Sequence, residues 1–443
     1  MVDIPKHRAE TKGRIFVIIK SFLAKEAYSG ILLFGAALLA MILANSSWSQ
    51  HYFDLWHTSM GLEIGGRILD MDLGHWVNDG FMALFFLLIG LEIKRELMVG
   101  ELSSLRKAAF PLIAAVGGIF VPVLFYLAVN FRQDGQLLGF GIPMATDIAF
   151  ALGFLLLLGS RVPLALKIFL TSLAVFDDLG AVILVALFYT SSFDLLFLGY
   201  AAATLVALVL LNRFGINKLM PYLLLGILLW FWVEASGIHA TIAGILLAFT
   251  IPVRSRINSE RFLDISRYEL DAFDKHETNR KSTLLTPEQQ DSLETIEDAY
   301  EAVQNPLVRL EHSLHPISAF LIIPLFAFAN AGVQITGVGF QLLSPVNLGI
   351  LLGLTLGKPL GIIGITYITE RLGWVQKPSS LSWKHIIGAG ILGGIGFTMS
   401  IFITQLAFED AAIIASAKLI ILACSLVMGI VGVIYLARQK NGS

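Results

Sequence analysis

The residues of this chain that could do chemistry are ionisable groups set inside long apolar runs. Asp79, Asp147, the adjacent pair Asp177 and Asp178, and Lys358 each interrupt stretches otherwise rich in Ala, Gly, Ile, Leu, Val and Phe. Asp177 and Asp178 stand about 13 residues into their run, roughly 20 Å along a helix, and Lys358 stands about 12 residues into its own. A charge at that depth of a bilayer costs roughly 2.5–3.5 kcal/mol, so Asp147, Asp177, Asp178 and Lys358 together cost about 10–14 kcal/mol, comparable to a domain's whole stability. One structural ion pair accounts for Lys358 and a single aspartate. The remaining carboxylates need a functional reason.

Carboxylate oxygens are hard ligands suited to a hard cation, and Thr146 and backbone carbonyls could complete its shell. Asp177 and Asp178 are about 100° apart around a helix, so one could face a water-filled cavity while the other meets Lys358. Two close carboxylates resist ionising together. A site of this kind gives up protons when it takes a cation and regains them when the cation leaves, which is the chemistry of cation-for-proton exchange.

The elements that hold these groups follow from composition. Of 443 residues, 56% are hydrophobic and 14% charged, too few charges to cover a soluble surface. Apolar runs of about 18–25 residues recur, the length needed to cross a hydrocarbon core. Twelve spans are predicted, near 28–45, 75–93, 108–129, 137–158, 164–188, 195–212, 219–233, 237–253, 315–333, 346–370, 385–407 and 413–437. Lys and Arg placement supports the count, because cytoplasmic loops keep positive charge. With the N-terminus inside, the inner segments carry Lys6 to Lys25, Lys94 with Arg95, Arg106 with Lys107, Arg161 with Lys167, Arg213 with Lys218, the long loop, Arg371 to Lys384, and Arg438 with Lys440. The alternate loops hold only Arg67 and Arg132. Both termini are therefore expected on the cytoplasmic side.

The predicted organisation is an N-terminal amphipathic segment 1–27, a transporter domain 28–437 and a tail 438–443. Residues 59–72 alternate around Gly65-Gly66, a β-hairpin signal on the outer face. The acidic stretch 254–312 reads as a cytoplasmic insert, with a short amphipathic helix starting at Thr286-Pro287-Glu288. The single cysteine, Cys424, excludes an intrachain disulfide. No basic cluster points to nucleic acid.

Backbone irregularity marks the same depth as the charges. The fourth span carries Gly139, Gly141 and Pro143 before Thr146-Asp147, and the eleventh carries Gly388, Gly390, Gly393, Gly394 and Gly396 before Phe397-Thr398. On the predicted topology, spans 3–5 and 10–12 run in opposite senses. The fold class expected is thus an all-α integral membrane protein with inverted repeats and two broken, crossing helices, spans 4 and 11, an arrangement typical of secondary-transporter sites.

The motifs Ala-Thr146-Asp147-Ile-Ala-Phe-Ala-Leu-Gly, Phe176-Asp177-Asp178-Leu-Gly-Ala, Gly357-Lys358-Pro-Leu-Gly, Gly90-Leu91-Glu92-Ile-Lys94-Arg95-Glu96-Leu and Arg309-Leu-Glu311-His312-Ser-Leu-His315-Pro resemble the NhaA family of bacterial Na⁺/H⁺ antiporters. The resemblance runs from about residue 25 to the end. That family is itself among the structures behind the broken-helix rule, so the two indications are not independent. The resemblance implies that Asp178 is the principal cation ligand and Asp177 a proton carrier able to pair with Lys358. Asp147 would offset helix N-termini between the broken halves, Lys358 their C-terminal ends, and Thr146 would lie close by. It further implies that Asp79 lines the cytoplasmic route, that Glu92, Arg95, Glu96, Glu311, His312 and His315 form a cytoplasmic cluster linked to pH activation, and that His239 matches a family histidine. Electrogenic exchange of Na⁺ or Li⁺ for H⁺ in a bacterial inner membrane, dimerisation through the hairpin, contact with membrane lipid, and no cofactor are also implied. The insert is longer than the family usually carries.

Other chemistries fit less well. An intramembrane aspartyl protease needs its aspartates on separate helices, and Glu311-His312-Ser-Leu-His315 has the wrong order for a zinc hydrolase, so no enzyme activity is expected. A Na⁺-coupled symporter of an organic solute is the alternative. It would add aromatic and hydrogen-bonding residues at the depth where these spans supply mostly Ala, Gly, Ile and Leu.

Overall fold

The computed structural model describes residues 28–439 except 65–66, 99, 101–104, 132–135, 160–161, 190–193, 276–283 and 336–343. The expected amphipathic segment 1–27, the Gly65-Gly66 turn, Arg132, Arg161 and the tail beyond residue 439 lie outside the described residues. Helix α1 (Tyr28–Ala44) is followed by α2 (Ser49–Trp56), bent 117° from it. Strands β1 (Ser59–Ile64) and β2 (Arg67–Asp72) pair antiparallel, with Ser59 opposite Asp72 and Ile64 opposite Arg67. Then come α3 (Leu73–Met98), α4 (Leu105–Asn130), a 3₁₀ segment Leu137–Met144 leading after a break into α5 (Ile148–Leu156), α6 (Leu164–Phe188) and α7 (Leu195–Arg213). The second half holds α8 (Leu219–Ala235), α9 (Thr241–Thr250), α10 (Ser259–Lys275), α11 (Pro287–Val303), α12 (Pro306–Asn330), α13 (Pro345–Arg371), α14 (Trp383–Gly393), α15 (Phe397–Ala407) and α16 (Ala411–Ala437).

Eight of the described helices are long and apolar enough to cross a membrane, or up to ten if each bent pair is one span; α8 and α9 are shorter apolar helices. The chain is therefore a multi-pass, all-α membrane protein carrying one small two-stranded sheet among its described residues.

The insert differs from the expectation. It carries two helices, α10 and α11, packed on each other, where one was expected. Asn258 starts α10 by accepting the Arg261 N–H at 2.9 Å, and Thr286 with Gln289 forms a capping box for α11. The insert also ends earlier than residue 312. Asn305 accepts the Leu307 N–H at 3.0 Å and Pro306 takes the first helical position, so Arg309, Glu311 and His312 belong to the first turns of α12.

Among the described residues, three helices contain a widened π turn: Trp76–Phe81 in α3, Ser318–Ile322 in α12 and Gly353–Gly357 in α13. Pro324 and Pro359 follow the last two within two residues. A proline inside a helix removes one N–H and crowds the carbonyl four residues back, and the wide turn relieves that crowding. In α13 the consequence is local and functional: Lys358 is the first residue after the π turn.

Lys358 is held in place by a close helix crossing. A Cβ added to Gly361 would lie 2.1 Å from the Gly117 carbonyl oxygen, and one added to Gly117 would meet the Gly361 carbonyl at 2.1 Å. Only glycine on both helices lets α4 and α13 approach this closely, and the Lys358 stem lies one turn away beside Gly118. Gly361→Val should lower stability by about 1–3 kcal/mol or more, as overpacking does. A thermal melt of the detergent-purified variant that matches wild type would contradict this.

Candidate functional site

The site is assembled where the two interrupted helices meet. The stretch 145–147 between Met144 and α5 is extended, and the Asp147 N–H donates to the Ile395 carbonyl at 2.7 Å, in the break between α14 and α15. Breaking a helix orphans N–H groups on one half and carbonyls on the other. One carboxylate serves both N-termini: Asp147 Oδ1 accepts from Phe150 N at 2.9 Å at the start of α5. Its Oδ2 accepts from Thr398 N at 3.0 Å and Thr398 Oγ1 at 2.5 Å at the start of α15. Negative charge there also offsets the positive ends of the helix dipoles.

The carbonyl ends are met by cationic and hydroxyl donors. Lys358 Nζ donates to the carbonyl of Met144, last residue of the 3₁₀ segment, and pairs with Asp177 Oδ2 at 2.7 Å. Thr146 Oγ1 lies 2.7 Å from the same Asp177 oxygen and 3.1 Å from the carbonyl of Gly393, which ends α14. Lys358, Asp177, Asp178, Asp147 and Thr146 are all buried. The structure thus brings together all five residues singled out as the charged centre, and it assigns Lys358 to Asp177 rather than to Asp178.

Of these five residues, Asp178 alone makes no side-chain hydrogen bond to another described residue. Its buried Oδ1 accepts no hydrogen bond from the described residues, and neither does Asp177 Oδ1. Buried oxygens without donors are costly, and a carboxylate more so, unless a proton or a cation is supplied. Two such oxygens on successive residues of α6 form a place where either one can bind.

The other predicted residues fall into two separate groups. At one end of α3, Arg95 Nε bridges both Glu311 oxygens at 3.0 and 2.9 Å, and its Nη1 meets Glu96 at 2.7 Å. Glu92 lies one turn away on the same helix, and exposed His312 and half-buried His315 follow Glu311 on α12. Lys94 closes this end by donating to the Phe249 and Ile251 carbonyls at 2.7 and 2.5 Å, capping α9.

Asp79 is at the opposite end of α3. It lines a cavity together with Asp72 of β2, Glu234 and His239. The assignment of Asp79 to the cytoplasmic route, with the hairpin outside, is therefore corrected: Asp79 opens on the hairpin side. The physical reason is its position, two turns past Asp72 and within the π turn of α3. His239 is in the same cavity, its Nε2 2.9 Å from the Tyr189 carbonyl. Sequence reasoning gave no role to Thr398, although it anchors Asp147, and missed Glu234 and Lys418. The last two carried the same signal as the others, an ionisable group in an apolar helix, but lie near the helix ends.

Apolar helices enclosing a fixed lysine–carboxylate centre define a multi-pass membrane protein whose interior is built to hold charge. The chain matches the family model described as Na⁺/H⁺ antiporter 1 over residues 20–436. It is 51% identical over 429 residues to a Na(+)/H(+) antiporter NhaA of Wolinella succinogenes, covering 97% of this chain and 95% of that protein. A protein of the same name from Helicobacter pylori G27 is 51% identical over 429 residues, covering 96% and 97%. Na(+)/H(+) antiporter NhaA 2 of Helicobacter hepaticus is 48% identical over 431 residues, covering 97% of both chains. The protein belongs to the Na⁺/H⁺ antiporter 1 family.

Removing one partner of a buried pair leaves an uncompensated charge, so Lys358→Ala should destabilise the protein by about 3–5 kcal/mol. The double variant Asp177→Asn with Lys358→Ala should recover part of that loss. Equal thermal stability of the single and double variants would separate Lys358 from Asp177.

Proposed function

We infer that this protein is a Na⁺/H⁺ antiporter, a membrane transporter rather than an enzyme, in which the two ions alternate at the Asp177/Asp178 pair. The observation that carries the site assignment is the contrast on α6: Asp177 is tied to Lys358 and Thr146, whereas Asp178 presents a buried oxygen without a donor. In the proton-loaded state Asp177 and Asp178 each carry a proton. An entering Na⁺ displaces both as it binds at Asp178, so more positive charge leaves the pair than enters, and Asp177 and neighbouring oxygens can join the Na⁺ shell. A proton taken at the open Oδ1 of Asp177 removes the charge that holds Lys358 at Oδ2, which links its protonation to the hold on Met144. Asp147 and Thr398 keep the broken helix ends compensated throughout. Alternating access then moves this centre relative to the rest of the bundle.

Further features follow from the same reading. Counting the eight long spans, one of them interrupted at 145–147, with the two bent pairs and the short helices α8 and α9 gives twelve crossings. Continuous, interrupted and continuous helices recur in α4–α6 and α13–α16, supporting an inverted repeat. The Lys and Arg distribution supports a cytoplasmic location for both termini, in a bacterial inner membrane. Li⁺ is accepted beside Na⁺, exchange is electrogenic, and the transported ions are the only small partners, with no resident cofactor. The Arg95–Glu96–Glu311 network, with Glu92, His312 and His315 nearby, supports a pH-dependent activity. An isolated two-stranded sheet is marginal alone, which supports its pairing with a second copy, in contact with lipid.

Proton flux in proteoliposomes, read by an internal pH dye on adding Na⁺, Li⁺ or K⁺, tests this directly. Wild type should respond to Na⁺ and Li⁺, and Asp178→Asn should be folded, inserted and silent. A full response from Asp178→Asn would remove the carboxylate pair from the mechanism.

A further inference from the structure

A second set of ionisable side chains lines a cavity of about 610 Å³ on the hairpin side, where α3, α8, α12, α15 and α16 meet. Three carboxylates, Asp72, Asp79 and Glu234, face it with one lysine, Lys418, and the imidazoles of His57, His75 and His239. Asp72 is already occupied: it accepts the His75 N–H at 2.7 Å and lies 3.0 Å from His75 Nδ1. Asp79 is not, since its carboxylate accepts no hydrogen bond from the described residues.

The backbone places Glu234 beside it. Trp230 Nε1 donates to the Asp79 carbonyl at 3.1 Å, and the Trp230 and Trp76 rings stack at 5.8 Å. Glu234 lies one turn beyond Trp230 on the same face of α8, so it reaches the same level of the cavity as Asp79. A cleft with an excess of negative side chains and apolar walls concentrates cations.

The floor of this cavity separates it from the carboxylate centre. Phe402 lines it and packs on Phe86 and Phe326, with ring centres 5.3 and 6.3 Å away, and all three phenyls are buried. Above them Asn330 donates to Asn78 at 2.7 Å and Gln405 donates to Asn330, tying α3, α12 and α15 together. Below, Thr398 lies one turn from Phe402 and holds Asp147. The cavity therefore ends one aromatic layer from the site where ions exchange.

We propose that Asp79 and Glu234 form a second, hydrated binding site for the exchanged monovalent cation, at the hairpin-side mouth of the route to Asp178. This rests on the exchange function inferred above. Two carboxylates supply too few oxygens to replace the shell of a hard cation, so the cation there keeps most of its water. The site raises the local cation concentration at the aromatic floor. It therefore acts on capture from one face only.

The test is Na⁺/H⁺ exchange in membrane vesicles of both orientations, for wild type, Glu234→Gln, Glu234→Asp and Asp79→Asn. Glu234→Gln should raise the apparent KM for Na⁺ several-fold at the hairpin face, with the maximal rate and the opposite-face KM unchanged. Glu234→Asp should restore most of the affinity, and Asp79→Asn should raise KM at the same face. High inert salt should shrink the difference, because screening removes the attraction. An unchanged hairpin-face KM in Glu234→Gln, or a KM raised equally at both faces, would overturn the second site while leaving exchange intact. Wild-type vesicles without exchange would instead overturn the functional reading itself.

Discussion

A helix broken inside an apolar protein interior must find partners for the backbone groups it exposes, and the rest of this structure depends on how that is done. In a bilayer no water is at hand to take over, so each exposed N–H or carbonyl costs several kcal/mol unless protein satisfies it. Here two helices break at the same point and answer one another. Asp147 takes N–H groups from both N-terminal ends, Lys358 and Thr146 reach the carbonyl ends, and the Asp147 N–H bonds the Ile395 carbonyl directly. The charges that look excessive in the sequence are largely the counterparts of those breaks.

That accounting leaves a remainder, and the remainder is the function. Asp177 completes the compensation by pairing with Lys358, which leaves Asp178 as a buried carboxylate with no structural duty. Its cost is tolerable only if a proton or a cation occupies it. The close glycine crossing of α4 and α13 and the π turn before Lys358 matter because they fix the lysine within reach of Met144 and Asp177 together. A shift of the lysine would unbalance both the pair and the broken helix.

Much of this was legible in the sequence, and the limits have physical causes. The apolar runs located the helices closely; α6 spans Leu164–Phe188, the range that hydropathy gave. Ionisable residues deep in those runs named Asp147, Asp177, Asp178 and Lys358, because burial cost singles them out whatever the tertiary contacts. On the residues alone the partner choice between Asp177 and Asp178 was open, since two residues 100° apart on one helix are distinguished only by what packs against each face; only the family resemblance pointed to Asp177. The π turns of α12 and α13 were not visible, because they answer a local clash between proline and a carbonyl four residues back. Asp79 was misplaced by leaning on family resemblance, although its distance of seven residues from the hairpin already put it near that end of α3. Helix α10 and the early start of α12 were missed because their caps, Asn258 and Asn305, lie in polar sequence without an apolar run to mark them.

The central claim is that a proton and a cation compete for one buried carboxylate pair. Its most direct test is proton release from the purified protein in weakly buffered detergent solution when Na⁺ is added without any gradient. The account predicts a stoichiometric release on adding Na⁺, none on adding a bulky organic cation, and none from Asp178→Asn. Na⁺ binding to wild type without any proton release would contradict it, because the two ions would then occupy separate sites.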